Sequence, residues 1–250
     1  MKKNNIILII IAISLSLAIS SCIGFNPQVP MKGNGELTTY SIEISDFSKI
    51  EIETFVEVNY SQEKNTGSLD FTVDDNLWEF YEIYTKNNVL HIKLKDPFNK
   101  RLNINPTKGV LTVSSDLLEG IDIAGRSKFY FCTDFASEKL NISLAGSGDI
   151  FANKYPVNIE ICKIEIAGSG NIYLAGAIQK NTIEIAGSGD VKALDCEMAK
   201  LDISIAGSGD VEATVTDKLD ISIAGSGDVK YKGDPIVSTS VAGSGKVIKL

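Results

Sequence analysis

From Leu140 onward the chain alternates apolar and polar residues in short runs that end in the same four letters. Ile164-Glu165-Ile166, Ile183-Glu184-Ile185, Ile203-Ser204-Ile205 and Ile221-Ser222-Ile223 each lead into Ala-Gly-Ser-Gly. Alternation with period two predicts a strand with one buried face. A second apolar position recurs after the glycines, at Ile150, Ile172, Val191, Val211, Val229 and Val247. The chain therefore turns at Gly-Ser-Gly and sends another short strand into the same core.

The tetrapeptide begins at Ala145, Ala167, Ala186, Ala206, Ala224 and Ala242, with separations of 22, 19, 20, 18 and 18 residues. A decayed copy, IDIAGRSK, begins at Ile121. Helical repeats need a nearly constant length to keep their packing face, whereas a solenoid of strands pushes extra residues into outward loops. Stacking sets each residue over its counterpart one coil below, about 4.8 Å away, and parallel crossovers are right-handed. The expected fold is all-β: a right-handed parallel β-helix (β-solenoid) over residues 121–250, after an irregular β N-terminal part over 36–120.

The corner residues are read as a structural turn ladder: Gly146, Ser147, Gly148; Gly168, Ser169, Gly170; Gly187, Ser188, Gly189; Gly207, Ser208, Gly209; Gly225, Ser226, Gly227; Gly243, Ser244, Gly245. Glycine allows positive φ or an approach that a Cβ would block. The serines are expected to hydrogen-bond to one another up the corner.

The N-terminal part alternates clearly at Ser48 to Glu53 and Leu90 to Lys95, with Asn87-Asn88 as a hairpin turn and Asp74 to Phe80 as one helical turn. It is expected to supply early coils and a cap, because an open solenoid end exposes apolar core and unpaired edges. At the other end, Lys246 and Lys249 are read as charges that discourage another chain from adding to the last coil.

The first residues are set apart. Lys2 and Lys3 precede an apolar stretch from Ile6 to Ser20, which has the length and flanks of a signal-peptide core. It runs into Ile19-Ser20-Ser21-Cys22, which resembles the lipobox of a bacterial lipoprotein; ordinary cleavage near Ser21 is the alternative. Residues 1–21 are thus read as signal peptide, Cys22 as the lipidation site, and 22–35 as a lipidated tether rich in proline and glycine. The expected location is the cell envelope, as an outer membrane lipoprotein facing periplasm or surface. The membrane is the first expected partner, through the lipid; an unidentified protein or glycan is the second.

Charge and chemistry narrow the function. A formal charge of -8 excludes nucleic acid as a natural partner, since phosphate binding needs a basic surface. Cys132, Cys162 and Cys196 match no zinc or redox spacing and are read as buried free thiols, with one disulfide as the alternative. His91 is the single histidine, with no nucleophile near it in sequence. No catalytic residue, metal ligand or cofactor is expected, and the protein is read as no enzyme. Asp149, Asn171, Asp190, Asp210 and Asp228 follow the corner glycines. They are read as caps of their own turns in preference to calcium ligands, whose GGxGxD repeat has a nine-residue period. A glycan-binding or glycan-processing β-helix is the alternative function, although Tyr173 and Tyr231 are the obvious outward aromatics of the repeats.

The lipobox, the segment FSKIEIETFVEVNYSQ, the later NNVLHIKLK and the repeated I-x-I-A-G-S-G-D-V together resemble the head GIN domain family, catalogued as "putative auto-transporter adhesins". The resemblance covers roughly residues 36 to 250. It implies a right-handed β-helix on an exported, often lipid-anchored protein with an adhesin-like role. No segment after Leu250 can form a translocating barrel, so export through the chain's own C-terminus is not expected.

Overall fold

The computed structural model describes residues 31–95 and 103–250; the expected signal peptide, Cys22 and most of the expected tether lie outside the described residues. The N-terminal part carries β1 (Met31–Lys32), β2 (Leu37–Glu43), β3 (Lys49–Glu53), β4 (Glu57–Gln62) and β5 (Ser68–Asp74). A single 3-10 turn, Asp75–Phe80, leads to β6 (Tyr81–Lys86), β7 (Val89–Leu94), β8 (Ile104–Asn105) and β9 (Gly109–Ser115). The repeats carry β10 (Gly120–Gly125), β11 (Lys128–Phe131), β12 (Phe135–Gly146), β13 (Asp149–Gly168), β14 (Ile172–Gly187), β15 (Val191–Gly207), β16 (Val211–Gly225), β17 (Val229–Lys232), β18 (Ile236–Gly243) and β19 (Val247–Lys249).

The repeats stack as parallel coils, a β-solenoid. Each pairing sets equivalent residues side by side: Ile164 beside Ile183, Ile183 beside Ile203, Ile203 beside Ile221. The inward columns predicted from the alternation are buried, with Ile166, Ile185, Ile205 and Ile223 at most 2% exposed. Burying such a side chain contributes about 1.5–3 kcal/mol, so the columns are the main favourable term. Each coil has three faces. In β14 the second face follows the corner at Ile172–Leu174, the third runs over residues 176–180, and the first over 182–187. The unequal repeat lengths are absorbed where the second face meets the third: three of the register shifts, Ala152/Val157, Tyr173/Ala175 and Ala193/Glu197, lie there.

At the Gly-Ser-Gly corner the backbones nearly touch. Gly187 has φ +139, and a Cβ on it would lie 2.3 Å from the Gly168 carbonyl oxygen. Gly189 has no left-handed backbone, yet its Cβ would lie 2.3 Å from the Gly170 oxygen. The first glycine is needed for conformation and space, the second for space alone. The expected serine ladder is corrected by the structure. The Ser188 N–H donates to the Gly168 carbonyl at 2.8 Å, and this backbone bond repeats up the corner. Among the corner hydroxyls only Ser244 and Ser226 meet, at 3.0 Å. In the decayed copy Ser127 stands in the place of the second glycine. Its hydroxyl donates to the Thr54 carbonyl at 2.6 Å and accepts the Val56 N–H at 3.1 Å. The coil beneath has no glycine corner there, so the space is filled by a side chain.

The N-terminal part differs from a simple run of early coils. β3 and β4 pair in parallel with β10 and β11, so residues 49–62 lie directly beneath the first repeat. β7 and β9 then pair beneath β3 and β4, although they follow them in sequence. The chain runs outward to build the cap and returns to start β10. Antiparallel strands close that end: β6 on β7 through the Asn87-Asn88 turn, β5 on β9, and β2 on β5. Asn87 and Asn88 both have positive φ, as the two-residue hairpin turn requires.

Asp74 ties the cap together. It is fully buried, and its carboxylate accepts the Gly35 N–H at 2.8 Å, the Thr107 N–H at 2.8 Å and the Thr107 hydroxyl at 2.6 Å. Burial alone would raise its pKa, but these hydrogen bonds together hold the carboxyl below its ordinary value. A lowered folded-state pKa gives stability that is present above the unfolded carboxyl pKa and lost as pH falls through the folded one. Hydrogen-exchange protection of residues 33–36 and 105–108, measured relative to the intrinsic rate at each pH, should therefore fall on acidification below the ordinary carboxylate range. Protection factors there that stay unchanged at pH 2 would count against Asp74 as the tie. At the corner, Gly187→Ala should cost about 2 kcal/mol or more, and Ser188→Ala should stay within about 0.5 kcal/mol. Chemical denaturation of the pair measures both; equal losses would contradict a backbone ladder.

Candidate functional site

The acidic column sits beside the corner, half-buried. The Asp190 Oδ1 accepts the Asp210 N–H at 3.0 Å, the Asp210 Oδ1 accepts the Asp228 N–H at 2.7 Å, and the Asp228 Oδ1 accepts the Lys246 N–H at 2.8 Å. Asn171 enters the same chain: it takes its place on Asp149 and accepts the Asp190 N–H at 3.2 Å. Each side chain thus caps the coil above and not its own turn. Because Asn serves as well as Asp, the column needs an oxygen acceptor and no charge. Among the described residues no group of three or more His, Cys, Asp or Glu is placed to hold a metal.

An aromatic ladder lies on the second face, and of its members the repeat pattern marks only Tyr173 as an outward aromatic. Tyr130, Phe151 and Tyr173 stack with centroids 4.6 and 5.0 Å apart and planes within 8° and 4° of parallel. The Lys192 ammonium covers the next ring face, 5.7 Å from the Tyr173 centroid. A sugar stacks on a ring face, and here the inner faces are taken up by one another and the outer face of Tyr173 by Lys192, with Asn59 next to Tyr130 in register. The ladder stabilises the stack and offers no open platform.

His91 lies in an ion-pair network on the first face of the cap. Its Nδ1 is 3.1 Å from Glu51, which also binds Lys49 at 2.8 Å; Lys49 reaches Asp122 at 2.6 Å. The Tyr84 ring stacks on the imidazole at 4.9 Å. Lys49, with His91, holds the Glu51 carboxyl below its ordinary pKa, the wrong direction for a general acid. No serine, threonine or cysteine is hydrogen-bonded to His91 among the described contacts. On the third face, Glu138, Glu160, Asn158 and Gln179 line an open hollow of about 610 Å³ with no cation among its lining residues. Cys162 and Cys196 are buried free thiols, and burial pushes both up to about 12, far from thiolate chemistry. Cys132 is also free but only half-buried, so the expectation of burial fails for it.

The largest irregularity is at the last coil. β18 pairs with β16 below and β19 with β17 below, and neither has a partner above among the described residues. Val241 continues the column of Ile223, which is 1% exposed, yet Val241 is 43% exposed. Ile236, Val237 and Ile248 are exposed with it. The two ends of the solenoid are therefore unlike. One is closed by antiparallel strands and the Asp74 tie; the other presents an apolar cross-section and a bare strand edge.

For the acidic column, Asp210→Asn should leave stability within about 0.5 kcal/mol, and Asp210→Ala should cost about 1 kcal/mol through the lost cap. Millimolar calcium should leave the melting temperature unmoved. A calcium-dependent rise that Asp210→Asn abolishes would instead make the column a cation site.

The family model "Putative auto-transporter adhesin, head GIN domain" matches residues 46–235. No curated protein matches the chain. A solved structure from Parabacteroides distasonis, described as a "putative lipid binding protein", is 29% identical with a TM-score of 0.77, covering 89% of this chain and 100% of that one. One from Bacteroides fragilis, described as a "putative adhesin", is 24% identical with a TM-score of 0.79, covering 88% and 100%. Another "putative adhesin", from Parabacteroides merdae, is 25% identical with a TM-score of 0.69, covering 89% and 100%. The fold is shared with these structures over most of this chain, and with most of its length matched by the family model the chain belongs to the head GIN domain family.

Proposed function

We propose that this protein is an exported, lipid-anchored interaction module that works without catalysis and presents its solenoid to a partner outside the membrane. The observation that carries the reading is the unlikeness of the two ends. The chain enters the fold at the capped end, where β1 pairs with β8 and Gly33 and Gly35 lie against Asp74. A lipid on Cys22 would hold that end toward the membrane. The bare last coil would then point away from it, some nine strand levels distant, or about 40 Å at 4.8 Å per level.

The family description supports an adhesin-like role over an enzymatic one. The stacked aromatic faces weigh against the glycan alternative. A relative described as lipid-binding is compatible with the envelope location.

Cys22→Ser should abolish incorporation of a fatty-acid analogue and move the protein out of the membrane fraction. Limited proteolysis of intact and permeabilised cells then reports the side on which the last coil lies. Membrane retention of the Cys22→Ser protein at parental levels would refute the anchor.

A further inference from the structure

The edge strand of the last coil is the least charged of its kind, the reverse of what an edge left in water needs. Register sets Ile236 above Lys218 and Ser238 above Asp220. The same two positions are Lys200 and Asp202 one coil further in. The two strands beneath thus carry Lys-Leu-Asp, and those further in keep at least one lysine there, while β18 reads Ile-Val-Ser-Thr-Ser-Val-Ala-Gly with no ionisable group. Exposed edges are ordinarily protected by charge, proline or a bulge. The cap follows that rule, with Glu82 and Lys86 on β6 and Glu43 on β2. Of the two lysines read from the sequence as edge protection, Lys246 is in the corner turn and Lys249 lies on β19, the other uncovered strand, bound to Asp234 at 2.5 Å, so β18 itself carries neither.

We propose that β18 is a docking edge for a second copy of this chain, joined end to end across a two-fold axis near Thr239. This rests on the reading of the protein as an interaction module and names its partner. Antiparallel pairing about Thr239 sets Val237 against Val241 of the second copy and keeps every inward residue facing an inward one. A single peptide strand could cover β18 but would leave Val247, on the second face, bare. A second copy brings a strand of equal length together with the rest of a solenoid end, its third face turned toward Val247. Charge points the same way. Two chains of -8 repel over most of their surface, and β18 lets them meet along eight residues with no like charges opposed. A contact centred on eight residues falls short of the roughly 20–30 residues a side of a standard interface, so it is weak in free solution and gains from the many copies on a membrane.

Disulfide trapping tests the geometry with the full chain in detergent, in a Cys132→Ser background. Chains with Ser238→Cys mixed with chains with Ser240→Cys should give a covalent dimer at least ten-fold faster than Ser222→Cys, which occupies the same face one coil in. A recharged chain, Ile236→Lys with Ser238→Asp and Ser240→Cys, copies the foldable pattern of Lys218 and Asp220. Its trapping by the Ser238→Cys chain should fall to the control rate. Trapping no faster than the control in chains whose circular dichroism remains β, or adducts only with other proteins, would overturn the second-copy interface. Equal trapping of the recharged chain would overturn it too. Membrane release of Cys22→Ser is read on cell fractions, so the anchor and the interface fail separately.

Discussion

A solenoid of parallel strands depends on one distance. Each coil has to lie a single strand spacing, about 4.8 Å, above the last around its whole circumference, corners included. On the faces this is easy, because pleated strands pair at that spacing whatever their outward side chains. At a sharp corner the backbones converge. There the Gly170 carbonyl occupies the place where a Cβ of Gly189 would sit. The repeated glycines follow from this contact, and so does the backbone bond from each corner serine to the glycine below. Where the coil beneath turns differently, at Thr54, the constraint lapses and Ser127 is admitted.

The same constraint decides where variation is allowed. The Gly-Ser-Gly corner cannot lengthen without separating the coils, and in every repeat it has the same length. The corner between the second and third faces carries the unequal spacing, with Asn153 to Pro156 bulging in one coil and Leu194 to Cys196 in another. Buried columns tolerate modest irregularity as well. Asn181 lies in the column of Cys162 and Leu201, fully buried, with its Nδ2 donating to the Met198 sulfur at 3.5 Å and its Oδ1 without a partner. A cost of this kind, of order 1–3 kcal/mol, is borne by a stack of apolar neighbours above and below.

The repeats were legible in the sequence because each coil meets the same environment, and equal environments select equal residues. Inward isoleucines, corner glycines and the hairpin at Asn87-Asn88 could all be read locally. The path of the N-terminal part could not. That β3 lies beneath β10 while β7 and β9 lie further out is a matter of long-range pairing, and Ile52 or Ile92 in isolation fits either level. Side-chain destinations were also hidden. An Asp after a turn can cap its own backbone or the next coil's, and spacing alone does not choose; the Asn171 substitution was the clue that an acceptor, not a charge, was required. Tyr130, Phe151 and Tyr173 stand 21 and 22 residues apart, and only the register of the coils makes them neighbours.

Function here is a question about ends more than faces. Faces of a solenoid are alike from coil to coil, and this chain spends its outward groups on itself: aromatic rings on rings, Lys163 on Glu165 and Glu184, Lys49 on Glu51 and Asp122. Surface pairs of this sort add little stability each, but they leave few groups free to recognise anything. The ends differ. The cap spends antiparallel strands, a 3-10 turn and a buried carboxylate on closing one cross-section. The last coil does the opposite, exchanging the Lys and Asp of the coil below for Ile236 and Ser238. A strand that faced only water would lose solubility by that exchange and gain nothing. A strand that meets its own likeness gains the loss of like-charge opposition and an apolar column continued across the joint. The composition of eight residues therefore argues for contact where the geometry alone shows only an opening.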